Sequence, residues 1–145
     1  MIFVLMLGLG LTGPSAWATP PKNTQAEVEY LLEFVGRSGC DFYRNGIWHD
    51  SKAAQAHLRD KYNYLLALNL INTAENFIER AATGSSFTGQ PYQVSCHGGI
   101  KMTMTSNRWL HEELARFRKL PAKTKIESVE DEARSHGRMT VAVNP

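Results

Sequence analysis

Two cysteines, Cys40 and Cys96, are the only ones in the chain, and no other feature limits its fold as much. They bracket its densest sequence: Cys-Asp-Phe-Tyr-Arg-Asn-Gly-Ile-Trp-His-Asp from Cys40, and Gln-Pro-Tyr-Gln-Val-Ser-Cys-His ending at His97. What such a pair does depends on the redox compartment. Residues 1–18 carry no charged side chain, residues 2–11 are apolar apart from Gly8 and Gly10, and Ala16-Trp17-Ala18 closes the stretch in an A-x-A arrangement. This reads as a secretory signal peptide cleaved after Ala18. The apolar run falls short of the ~20 residues that a membrane-spanning helix needs. No Lys or Arg precedes it, so the signal is minimal or the start lies upstream. No cysteine adjoins the cleavage point, which argues against a lipid-anchored form. Export to the periplasm puts both thiols in an oxidising compartment, and one disulfide is expected. Closing a loop of about 56 residues contributes about 4 kcal/mol in the chain-entropy model. That is a large share of the ~5–15 kcal/mol that stabilises a typical domain.

The expected organisation is a signal peptide over residues 1–18, a Pro-rich mobile leader over 19–23, a helical domain over 24–120 and a disordered polar tail over 121–145. Thr24 and Glu27 form a T-x-x-E capping box. Val28, Leu31, Leu32 and Val35 follow at i, i+3, i+4, i+7, which predicts a first helix over residues 25–37 with acidic residues toward its positive end. Ser38-Gly39 stops it just before Cys40. Arg44-Asn45-Gly46 lies between aromatic runs, so a tight turn or very short hairpin is expected to send rings into the core. Asp50 or Ser51 caps a second helix over 52–68, with Ala54, Leu58, Tyr62 and Leu65 buried. Residues 69–72 weaken it. Thr73 caps a third helix ending near Ala82. A Ser/Thr/Gly loop covers 83–90, an extended segment 91–96, and a short strand or an irregular linker 100–105. Ser106 caps a last helix over 107–119, ended by Pro121. The fold class is mainly α: a small four-helix domain with a tight aromatic turn, a short extended segment and one disulfide.

The ordered set Cys40, Phe42, Arg44-Asn45-Gly46, Trp48, Ala53, His57-Leu58, Lys61-Tyr62, Thr73-Ala74-Glu75, Phe77-Ile78, Ser85-Ser86, Gly89, Pro91-Tyr92, Cys96, Trp109-Leu110 and Leu114 resembles the YfeK-like family of small exported proteobacterial proteins of unknown function. The resemblance covers roughly residues 27–118. It implies a signal peptide, a periplasmic location and a compact domain with two cysteines, and it brings no activity with it. His49 stands where the family pattern has an aromatic residue.

Several side chains are candidates for chemistry. A zinc site would draw on the cysteines with His97 and His49 or His57, but close-spaced ligand pairs are missing and no metal or other cofactor is expected. A redox pair would be C-x-x-C, which the spacing excludes. His57 and Glu75, on successive helices, are weak candidates for an acid–base pair. Their bland reading is a half-buried His57 with a backbone or Glu75 partner, beside a snorkelling Lys61. Arg44 is suited to an anionic ligand such as carboxylate or phosphate. Ser85 and Ser86 lack a G-x-S-x-G or S-x-x-K setting and read as loop hydroxyls. Phe42, Trp48, Tyr62, Tyr92 and Trp109 read as core rings rather than a ligand groove.

The 16 basic and 14 acidic residues give a net charge of +2 and are scattered, which argues against nucleic acid. The expected function is a non-enzymatic periplasmic binding or interaction module, presumed monomeric. Its binding surface would comprise Arg44, His57, Lys61, Ser85, Ser86 and Tyr92, facing an envelope protein or an anionic, peptidoglycan-type ligand. The alternative is a small cell-envelope hydrolase using His57 and Glu75.

Overall fold

In the computed structural model, which describes residues 19–97, 102–122 and 124–125, helix α1 spans Lys22–Arg37. Its face of Val28, Leu31, Leu32 and Val35 is no more than 1% exposed and forms the middle of the core. The helix begins earlier than the capping box predicts. Pro21 occupies the N-cap, where its missing N–H costs nothing. Gln25 bonds to the carbonyls of both Pro20 and Pro21, so part of the expected leader belongs to the helix start. Thr24 therefore lies inside the helix and donates to the Asn72 carbonyl at 3.0 Å, 48 residues along the chain. The first turn holds no acidic residue. Glu27 pairs instead with Arg118, and Glu29 with Arg59.

Helix α2 spans Ser51–Ala67, with the Asp50 carboxylate accepting from the Ala53 N–H at 2.8 Å. It ends where Asn69 takes φ 55° and the Leu70 N–H closes back on Leu65, so the weak stretch in the sequence is a helix terminus. Helix α3 spans Ala74–Phe77, with the Thr73 hydroxyl accepting from the Asn76 N–H. It continues as a π-helical turn over Ile78–Ala82. Helix α4 spans Ser106–Lys119. Ser106 is its first residue and not its cap; its N–H donates to the Tyr92 carbonyl.

The expected helices are present, and beside them lies a four-stranded antiparallel sheet that the helical reading did not include. Strands β1 (Asp41–Arg44), β2 (Ile47–His49), β3 (Gln93–Cys96) and β4 (Met102–Thr105) lie in the order β2-β1-β3-β4. The aromatic turn is a hairpin: Asn45 and Gly46 both have positive φ, 50° and 89°. This pair suits the two-residue turn that matches strand twist. The extended segment and the segment left open between strand and linker are β3 and β4. Each strand is three or four residues long, and the β1–β3 pairing joins segments far apart in the chain. Phe42 and Val94 are buried from one sheet face, whereas Trp48 is 45% exposed against Tyr43 and not in the core. Trp109 is half-buried between Phe34 and Phe42.

The Cys40–Cys96 disulfide is formed, with a sequence separation of 56. It stands beside the first pairs of the β1–β3 ladder, Asp41 with Ser95 and Phe42 with Val94. Two polar clasps hold α4 on α1. Buried Glu113 accepts from the Tyr30 hydroxyl at 2.5 Å, and burial with that carboxylate pushes Tyr30 up to about 12. Arg118 bridges Glu27 on α1 and Glu75 on α3. Lys125 donates to the Arg118 carbonyl. The expected signal peptide, residues 1–18, and the expected tail beyond residue 125 lie outside the described residues.

Replacing both cysteines (Cys40→Ser with Cys96→Ser) is expected to lower the unfolding free energy by about 4 kcal/mol. Urea denaturation measures this. An unchanged midpoint at unchanged slope would mean that the covalent closure adds nothing to stability.

Candidate functional site

Tyr92 is buried and anchored through its backbone. Its N–H donates to the Thr83 carbonyl and its carbonyl accepts from the Ser106 N–H, both at 3.0 Å. Its hydroxyl lies 3.3 Å from His57 Nε2, and Lys61 Nζ stands 5.3 Å from its ring centre. The β1–β3 register pairs Tyr43 with Gln93, and one further step brings Arg44 beside Tyr92. On α2, His57 and Lys61 are one turn apart, and Lys61 donates to the Gly84 carbonyl at 3.1 Å.

These residues line a groove of about 300 Å³. Its α2 wall adds Tyr64 and Leu65, the hairpin adds Asn45, and the π-helical turn adds Arg80. The loop after α3 supplies Ser85, Ser86 and Phe87. Leu65, Ser85 and Tyr92 are the buried members, while Tyr64 and Phe87 are 66% and 97% exposed and form the lip. The loop is closed by bonds between Ser85 and both Gln90 and Gly89. The Ser85 hydroxyl accepts from the Phe87 and Thr88 N–H groups, so it serves the turn. Thr88 reaches across to Asn45 Oδ1 at 2.9 Å and ties the loop to the hairpin.

Among the described residues no carboxylate lines the groove, and three cations do: Arg44, Lys61 and Arg80. Among the described residues none of the three forms an ion pair. The imbalance appears in the titrating groups. Burial, then the charges of Arg44 and Lys61, lower the His57 pKa. Burial and the Arg44 charge lower that of Lys61. Burial raises that of Tyr92, against the pull of Arg44. A second, small cavity of about 30 Å³ lies on the other side of Arg44, His57 and Tyr92. Phe42, His49, Ala54 and Leu58 also line it.

The six side chains expected to form a binding surface, Arg44, His57, Lys61, Ser85, Ser86 and Tyr92, all line this one groove. Glu75 does not. Its carboxylate is held by Arg118, whose hydrogen bond keeps its pKa below the usual carboxylate value, on the clasp with Glu27. The acid–base pair of His57 and Glu75 is therefore not assembled. No cluster of three or more His, Cys, Asp or Glu able to hold a metal occurs among the described residues. His97 faces Asp41 at 3.4 Å instead.

Residues 22–118 match the family of unknown function DUF5329. The chain belongs to that family. The matched span runs from α1 to α4 and takes in every residue of the groove. The chain is 37% identical over 92 residues to the uncharacterized protein YfeK of Salmonella typhimurium, covering 63% of this chain and 74% of that one. The family resemblance read from the motifs is thus established. No solved structure gives a significant match.

Asn45 and Leu65 were read only as turn and core residues, and Tyr64, Arg80 and Phe87 escaped the sequence reading. Tyr64 carried a usable signal, since 57, 61 and 64 are the i, i+4, i+7 positions of one helix face. Arg80 did not, because the π-helical turn shifts the angular position that α-periodicity assigns to it.

His57 should titrate below its ordinary value of 6.5, and Arg44→Ala should raise it toward that value. A pH series of histidine NMR shifts measures both; an unmoved His57 would mean that Arg44 does not set its field. Because the folded form disfavours the charged imidazole, the unfolded chain binds more protons. The contribution of His57 to stability is present above pH 6.5 and falls as pH drops through its lowered folded value.

Proposed function

We propose that this protein is an exported, periplasmic binding module of the cell envelope, and that its groove captures an anionic group on a partner or envelope component. The observation that carries the reading is the convergence of Arg44, Lys61 and Arg80 on one groove without a lining carboxylate. Like charges gathered without counter-charge disfavour the empty state, and an anion relieves them. Attraction of this kind draws ligand from solution but is screened once the ionic strength brings the Debye length below ~10 Å. The half-buried settings of His57 and Lys61 keep part of the groove out of bulk water, where a charge-assisted bond is stronger. Export is supported by the uncharged apolar segment ending in Ala16-Trp17-Ala18, and by a disulfide, which persists in oxidising compartments. Among the described residues no helix is long and apolar enough to cross a membrane.

Two measurements test the proposal. Protein recovered from the periplasm should begin at Thr19; retention in the cytoplasm with residues 1–18 intact would end the export claim. Co-sedimentation with isolated envelope should weaken about tenfold for Arg44→Ala, the loss of one charge-assisted contact. It should also weaken with added salt. Binding by the variant equal to that of the parent at every salt concentration would remove the groove as the binding surface.

A further inference from the structure

The groove supplies hydrogen-bond donors far more than acceptors. Arg44 and Arg80 bring guanidinium forks and Lys61 an ammonium, none of which accepts. Ser86 adds an exposed hydroxyl. Asn45 has its amide oxygen occupied by Thr88, which leaves its N–H pair to donate. A neutral sugar needs acceptors for its hydroxyls, so the lining suits it poorly. A carboxylate offers two oxygens and one charge. A phosphomonoester offers three terminal oxygens and about −1.5 to −2 charge near pH 7. Three unpaired cations and a donor-rich lining match the second anion better than the first. At the lip, Tyr64 and Phe87 expose ring surface directly beside these donors. Rings left in water at a groove mouth are suited to cover an organic group attached to the anion.

From this juxtaposition we propose that the groove binds a phosphomonoester, with the phosphate held by Arg44, Lys61 and Arg80 and its organic substituent lying against Tyr64 and Phe87. The inference rests on the anion-binding reading above and names its ligand class. The phosphate enters as a preformed dianion and is bound, not cleaved. The phosphomonoester can be the headgroup of a lipid or a soluble ester; the chemistry recognised is the same.

Calorimetric titration of the purified protein at pH 7.5 and low salt tests this with phenyl phosphate, phenyl sulfate, benzoate and inorganic phosphate. Phenyl phosphate should bind about tenfold or more tightly than phenyl sulfate, which has the same shape and one charge fewer, and than benzoate. Arg44→Ala should weaken phenyl phosphate and inorganic phosphate alike. Phe87→Ala should weaken phenyl phosphate toward the level of inorganic phosphate and leave inorganic phosphate unchanged, which a loss of fold would not do. If phenyl sulfate or benzoate binds as well as phenyl phosphate, the phosphomonoester assignment is overturned while the anion site stands. If none of the four binds, both fall. Vesicles of phosphatidylcholine with or without phosphatidic acid identify the source. Binding only to phosphatidic acid vesicles, displaced by phenyl phosphate, supports a lipid headgroup. Binding of phenyl phosphate without binding to either vesicle supports a soluble ester.

Discussion

The antiparallel pairing of β1 with β3 is the contact on which the remaining structure hangs. It joins segments about fifty residues apart in the chain, and it is bonded covalently at one end by Cys40 and Cys96. At its other end it sets Arg44 beside Tyr92. The hairpin β1–β2 and the strand β4 extend the ladder on its two sides. Helix α4 follows β4 without a linker and is held at its first residue by the Tyr92 carbonyl. Remove this ladder and neither the hairpin nor the loop after α3 has a fixed place relative to α2.

The distribution of charge divides the molecule in two. On the α1, α3 and α4 side every strongly placed cation has an acid: Arg118 takes both Glu27 and Glu75, and Arg116 takes Glu113. On the groove side the cations stand without acids, and burial makes that arrangement costly to the folded state. Proteins commonly hold such locally unfavourable arrangements where they act on something else. The Ser85 hydroxyl and the Tyr92 backbone, by contrast, are fully engaged in holding the groove's shape.

Helices were legible because their signal is local. The i, i+3, i+4, i+7 face of α1, the Asp50 and Thr73 caps and the Asn45-Gly46 turn each rest on a few neighbouring residues. The sheet was not legible as a sheet: alternation marked the segments of β3 and β4 as extended, but their pairing partners lie elsewhere in the chain. Thr24 misled because a capping box is defined by sequence while its hydroxyl had a better acceptor in Asn72, 48 residues away. In the site, Arg44 was legible as a side chain suited to an anion. Glu75 was misassigned because helix succession suggests proximity to His57, whereas the side chain points to a guanidinium on α4. Phe87 and Arg80 required three-dimensional placement of a loop and an irregular helical turn.

Every residue that lines the groove, from Arg44 to Tyr92, falls between Cys40 and Cys96. The disulfide therefore makes a covalent ring that contains the described lining of the groove. Helices α1 and α4 stand outside this ring and act as its buttress, through Leu31, Leu32, Leu110 and Leu114 packed in the common core. The described groove lining is thus confined to the ring, while the core that braces it is shared between the ring and the two outer helices. Substitutions in α1 or α4 change how firmly the ring is supported, and substitutions within the ring change what it can hold. Under the proposed function, a ring closed before any ligand arrives presents its walls already positioned, so less ordering remains to be done on binding.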